Sequence, residues 1–336
     1  MTEQVQNGGQ PANKKLTTFH KRTLTSVVYV AVLIGLCAMK WLVPLGNVAG
    51  GWGSLGFDAV FCAIAVIGSF EFLRAVDGSK GFNCSISLPQ RAFTIAFSAL
   101  VVPLYVIMEM IPEMSGTGFL AIACAFAVYV IFLAGTSVFD HDRSSVKGMI
   151  YCVFCMLYCG VLPCMLSSIN HIPDNSMAAI IFLFICSVFT DAGAYFIGSG
   201  FKKFIPLKLA PQLSPNKTVI GAVGGLLGGI LGGIITYYLM YVFGGVNGEI
   251  FVFGTNGVYL TFTSEAIHPI VSFILVGLFT SVACQIGDLF ESAVKRECGI
   301  KDMGNCLPGH GGVLDRFDSM LYCSVVVLFC FGTIII

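Results

Sequence analysis

The residues best suited to chemistry crowd into a few short polar stretches of an otherwise apolar chain. Asp288, Ser292 and Lys295 are spaced i, i+4 and i+7, so a helix would carry them on one face with Arg296 alongside. Asp315 and Asp318 follow, spaced i, i+3, at the start of the last apolar run. Carboxylates are hard oxygen ligands, and Mg²⁺ uses one or two of them together with substrate phosphates. Between the two acidic groups lies "PGHGG", Pro308 to Gly312, whose backbone can adopt positive φ and turn its N–H groups toward an anion. His310, set among these glycines, reads as a phosphate hydrogen-bond donor. Upstream, "LSPNKT" offers Ser214, Lys217 and Thr218, two hydroxyls and an ammonium suited to a polyphosphate. Asp191 opens "DAGAYFIG" inside another apolar run, where small neighbours leave room for partners. Lys301 and Arg316 add cations. An Asp–Lys stripe standing alone would read as an interfacial salt bridge; with the second acid pair it reads as a metal–phosphate site.

These residues must be positioned by membrane helices. Of the 336 residues, 56% are hydrophobic and 11% charged, with a mean hydropathy of +0.88. A soluble chain carries about a quarter charged residues. Apolar windows of the roughly 20 residues that a spanning helix needs recur at 24–43, 52–73, 92–111, 117–139, 148–167, 177–198, 218–243, 269–290 and 319–336. They do not alternate as barrel strands would. The expected fold is therefore all-α: a polytopic integral membrane protein of about nine transmembrane helices. Residues 1–22 read as a polar, disordered cytoplasmic tail, and 23–336 as a single transmembrane domain with an uncleaved first span. The candidate chemistry is concentrated in 187–221 and 285–319.

The net charge of zero hides an asymmetry. All but one of the 18 Lys and Arg fall in the tail and alternate loops, which places those loops and the N-terminus in the cytoplasm. Lys40, at the far end of the first span, is the exception. Asp58 reads as a solvated acid near the outer surface, and Glu71 as a partner of Arg74 at i+3. The 14 cysteines lie mostly inside spans, so the C-x-x-C of Cys152 and Cys155 reads as packing rather than as a redox or zinc site. The run "GGLLGGILGG", Gly224 to Gly233, is not a nucleotide loop. It gives a side-chain-free helix groove for close packing, within one chain or between two. The far loop 244–268 reads as a small hairpin cap.

The stretch "SAVKRECGIKDMGNCLPGHGGVLDRFD", Ser292 to Asp318, resembles the signature of the phosphatidate cytidylyltransferase (CDP-diacylglycerol synthase) family. That signature reads S-x-apolar-K-R, four residues, K-D-x-G, two residues, L-P-x-H-G-G-apolar-x-D-R-apolar-D, and each fixed position is met. The resemblance extends upstream through "GDLFES", "LSPNKT", "DAGAYFIG" and "FEF". It departs at Ser199, where the family often has Arg, and at Val219 and Ile220, where it often has an aromatic residue and Glu.

The resemblance implies a helical membrane nucleotidyltransferase that joins CTP to phosphatidate, releasing pyrophosphate, for phospholipid biosynthesis. It implies Mg²⁺ held by Asp288 and Asp315, a second, monovalent cation such as K⁺ beside it, and a homodimer. Lys295, Arg296, His310 and Asp318 would serve catalysis. Asp191, Ser214, Lys217, Thr218, Ser292, Lys301, Asp302 and Arg316 would bind substrate. The expected location is a bacterial inner membrane with the site facing the cytoplasm; no nucleic acid is implied. The alternatives are a CTP-dependent enzyme acting on another lipid phosphate or polyprenol, and an ion-coupled transporter. Against a transporter, the charge lies on one side rather than at midplane, and the two halves show no repeat.

Overall fold

A computed structural model describes residues 30–40, 51–77, 79, 81, 82, 84–140, 144–172, 176–201, 203–247, 269–307 and 311–334. Apolar runs become helices because hydrocarbon offers no partner for a backbone N–H or C=O outside the segment itself. The helices are α1 (Val30–Lys40), α2 (Gly51–Val76), α3 (Leu88–Met110), α4 (Gly118–Phe139), α5 (Val146–Cys155), α6 (Leu162–Asn170), α7 (Ser176–Phe201), α8 (Val219–Asn247), α9 (Pro269–Cys298) and α10 (Leu314–Phe329). A π-helical turn, Met156–Val161, joins α5 to α6 into one continuous span, and another, Cys330–Ile334, extends α10. The first precedes Pro163, which has no N–H to give to the preceding turn, and the wider winding absorbs that loss.

Seven helical segments among the described residues are long and apolar enough to cross a membrane, between Gly53 and Cys298. Shorter helices, α1 and α10 with its π turn, occupy the two other expected windows. The tail 1–22 lies outside the described residues, as does the expected hairpin at 244–268 beyond the end of α8. Among the described residues, one piece of sheet breaks the helical pattern. β1 (Lys208–Ala210) and β2 (Ser214–Thr218) form an antiparallel pair between α7 and α8, with Lys208 opposite Thr218 and Ala210 opposite Ser214.

The glycine run does its packing within one chain. It puts α8 between α7 and α9 with glycine on both faces. A Cβ at Gly228 would lie 2.1 Å from the carbonyl oxygen of Phe189 in α7, and one at Gly233 would lie 2.3 Å from that of Phe273 in α9. Backbones this close gain dispersion along their whole length, which replaces the hydrophobic drive absent in lipid. The core of the other half is aromatic: Tyr129 stacks on Phe97 at 4.8 Å, and its hydroxyl donates to Cys152 O at 2.9 Å. Cys152 and Cys155 are buried free thiols, Cys155 donating to Ser69 O at 3.8 Å, so the C-x-x-C is packing as expected.

Asp58 is not solvated. It is 6% exposed, and its carboxylate accepts from Ser167 Oγ at 2.7 Å and Asn170 Nδ2 at 3.0 Å, with His171 Nε2 at 2.8 Å. Lys40 is buried in the same cluster and donates to Asn170 Oδ1 at 2.6 Å, Asn170 O at 2.7 Å and Ser54 Oγ at 3.1 Å. The single cation that breaks the loop asymmetry is thus a core residue, not a surface anchor.

The α7–α8 contact yields a direct test. Gly228→Ala must push the two backbones apart and is expected to cost about 1–3 kcal/mol. Gly135→Ala, where an added Cβ meets nothing within 4 Å, should leave melting in detergent unchanged or slightly raised. Equal melting temperatures for the two variants would refute the close approach.

Candidate functional site

At the end of the bundle opposite the Asp58 cluster, α7, the hairpin, α8, α9 and α10 enclose a cavity of about 690 Å³. Its wall gathers side chains from distant segments: Asp191 from α7, Lys217 and Thr218 from β2, Gln285, Asp288 and Lys295 from α9, Asp302 from the following loop, and Asp315, Arg316, Asp318 and Ser319 from α10. Nine of the residues singled out by sequence therefore meet here: Asp191, Lys217, Thr218, Asp288, Lys295, Asp302, Asp315, Arg316 and Asp318. Ser214, Ser292, Arg296 and Lys301 lie outside this wall. Arg296 is exposed and donates from Nε to Leu213 O at 3.1 Å, which ties the hairpin to α9. His310 lies outside the described residues.

The expected Asp288–Ser292–Lys295 stripe is divided among other partners. Asp288 Oδ2 meets Lys217 Nζ at 2.5 Å, which binds α9 to the hairpin. Lys295 Nζ bonds to Asp315 Oδ1 at 2.9 Å and to the carboxylate of Glu291, one turn back on its own helix. Asp315 is held further by backbone N–H groups: its Oδ2 accepts from Gly312 at 2.8 Å and from Met303 at 2.9 Å. A carboxylate bound by two N–H groups and an ammonium keeps its charge in a low-dielectric wall.

Two acids that sequence reasoning did not place at the site hold it together. Glu71 does not turn to Arg74. Its Oε1 accepts from Val313 N at 3.1 Å and its Oε2 from Leu314 N at 3.0 Å, so a side chain of α2 caps the start of α10. The carboxylate also meets the positive end of that helix. The glycines around it follow from this contact. A Cβ on Gly304 would sit 2.2 Å from Glu71 Oε1, and one on Gly312 would sit 2.5 Å from Oε2. Gly311 has φ of +90°, which few other residues adopt, and brings the chain into the turn above Asp315. Glu291 is the second acid. It is fully buried, one carboxylate oxygen on Lys295 and the other, Oε1, without a protein partner among the described residues. Its i, i+4 spacing to Lys295 was readable in "GDLFESAVK"; nothing local to Glu71 pointed to residues so far along the chain.

Among the described residues, no three His, Cys, Asp or Glu side chains are already gathered to hold a metal. Oxygen donors on one wall, offering one or two carboxylates and an open side, are nonetheless what Mg²⁺ takes when substrate phosphates complete its shell. The wall can thus receive phosphates at Lys217, Lys295 and Arg316 and a hard cation at the acids between them.

The family model described as "Cytidylyltransferase family" matches residues 20–334. Among curated proteins, the chain is 30% identical over 281 residues to the phosphatidate cytidylyltransferase of Bacillus subtilis (strain 168), covering 80% of this chain and 86% of the relative. It is 35% identical over 164 residues to that of Haemophilus influenzae, covering 48% of each. With the Brucella suis protein of the same name it shares 37% over 179 residues, covering 53% of this chain and 56% of the relative.

Capping by Glu71 makes a prediction that needs no substrate. Glu71→Ala leaves two buried N–H groups unsatisfied and should lower stability by about 2–3 kcal/mol, read as a fall in melting temperature. Glu71→Gln, which retains one acceptor, should fall between that variant and the unmodified chain. A Glu71→Ala protein that melts normally would show that α10 does not depend on this cap.

Proposed function

Because the chain belongs to the cytidylyltransferase family, we propose that it transfers the cytidylyl group of CTP to phosphatidate, giving CDP-diacylglycerol and pyrophosphate. The observation that carries this reading is a cavity of acids and lysines at one mouth of an apolar bundle. One substrate dissolves in water and the other in lipid, so the reaction belongs where both can reach. A phosphatidate phosphate oxygen attacks the α-phosphorus of CTP. The new P–O bond forms as the bond to the bridging oxygen breaks, and pyrophosphate leaves with the electron pair. The attacking oxygen is already ionised near neutral pH, so no side chain must remove a proton.

What the chain supplies is positioning and charge. Lys295, fixed between Glu291 and Asp315, presents an ammonium whose direction is set before substrate arrives. Lys217 and Arg316 face the same space and orient phosphates, and Thr218 adds a hydroxyl. Asp288 and Asp315 would hold Mg²⁺, with Asp318 and Asp191 completing the acidic wall. Bound there, the ion would draw phosphate oxygens together and offset their negative charge. A monovalent cation beside it and a homodimer are supported by the family resemblance. A cavity facing the cytoplasm is supported by the placement of Lys and Arg, and a bacterial inner membrane by the bacterial relatives.

Purified protein with Mg²⁺, CTP and defined lipid phosphates tests this reading through pyrophosphate release. Asp288→Asn and Asp315→Asn should each lower turnover by about 100-fold or more, with membrane insertion unchanged. Turnover near that of the unmodified protein would remove the substituted acid from the role. Faster release with a polyprenyl phosphate than with phosphatidate would reassign the lipid.

A further inference from the structure

α7 ends at Phe201 and the hairpin begins at Lys208. Along this exit Phe201, Phe204, Ile205, Leu207 and Leu209 all stand exposed, Phe204 at 80%. A run of this size that no other part of the described chain covers marks a surface with a partner. The segment is built, not slack. Val219 N donates to Leu207 O at 3.0 Å, the strands pair through Lys208 and Ala210, and Arg296 fastens the hairpin tip to α9. Its apolar side chains are therefore held away from the bundle.

The partner follows from charge and place. Lys203 is exposed within the run, while Lys208 is half-buried and donates from Nζ to Pro215 O across the hairpin. Aromatic and lysine side chains just beyond a spanning helix match the headgroup layer, rings at the acyl boundary and ammonium groups at phosphates. The run also ends on the cavity, because Leu209 lines it together with Tyr195, itself 70% exposed.

We propose that Phe201 and residues 203–209 form an interfacial platform that rests among anionic lipid headgroups and passes a lipid phosphate to the cavity along the Leu209–Tyr195 edge. The passing of substrate rests on the transfer proposed above; the seating in lipid does not.

Two measurements separate the seating from the delivery. In a chain whose two tryptophans, Trp41 and Trp52, are replaced by Phe, Phe204→Trp gives a single reporter. In nanodiscs containing phosphatidylglycerol brominated on its acyl chains, its emission should be blue-shifted and quenched. Red-shifted emission quenched by iodide, or blue-shifted emission indifferent to the bromolipid as between two copies, would overturn the seating. The second arm uses Lys203→Glu with Phe204→Ser. The apparent KM for long-chain phosphatidate in anionic nanodiscs should rise about five-fold or more, while the KM for CTP and turnover of dissolved short-chain phosphatidate stay unchanged. Equal losses on both lipids would overturn the delivery role. No turnover by the unmodified protein would overturn the transfer and the delivery with it, leaving the fluorescence to decide the seating.

Discussion

The whole site depends on crowding carboxylates at the end of an apolar bundle without letting them drive one another apart. At low dielectric, like charges a few ångströms apart repel by several kcal/mol unless cations and N–H groups offset them. The chain offsets them in pairs, and each pair joins two elements. Lys217 on Asp288 joins the hairpin to α9, Lys295 on Asp315 joins α9 to α10, and Glu71 on the N–H groups of Val313 and Leu314 joins α2 to α10. The electrostatic solution and the tertiary structure are the same set of contacts. Removing one acid would release a cation or an N–H group as well as a charge.

Such short-range pairs form only if the helices arrive at the right separation, and glycine sets that separation. α8 runs between α7 and α9 with no side chain between the backbones at Gly228 or Gly233. Bulkier residues would push α7 and α9 outward and widen the cavity that Asp191 and Asp288 share. Lys217 sits just before α8 begins, so its reach to Asp288 is fixed by the same packing. Packing in the middle of the bundle thus determines ion-pair geometry at its mouth.

Much of this was legible in the sequence because both signals are local. Hydropathy marks each span without knowing its neighbours, and the acids, lysines and glycines of 285–319 occur close together. The misreadings share one physical cause: they concern groups whose partners are remote. Arg74 lies at the right spacing from Glu71, yet Arg74 is exposed and can be satisfied by water. The N–H groups of Val313 and Leu314 are buried and have no such alternative, so the carboxylate goes to them. Asp58 reads as solvated by its place near the end of an apolar run. In the fold, Ser167, Asn170 and His171 arrive from α6 and its end to enclose it. The β1–β2 hairpin was equally invisible, since its strands of 3 and 5 residues are too short to show a period.

The two polar clusters differ in what they leave open. At the Asp58 end, Lys40, Ser54, Asn170 and Ser167 saturate one another, and the carboxylate is closed over by its neighbours. Burial this complete contributes rigidity and leaves nothing to offer a newcomer. At the other end, Glu291 is just as deeply buried, but the Lys295 it holds lines an open cavity together with Asp315 and Asp318. The chain thus holds polar groups at both ends of its bundle, finished at one and open at the other, and the open end is where chemistry can enter.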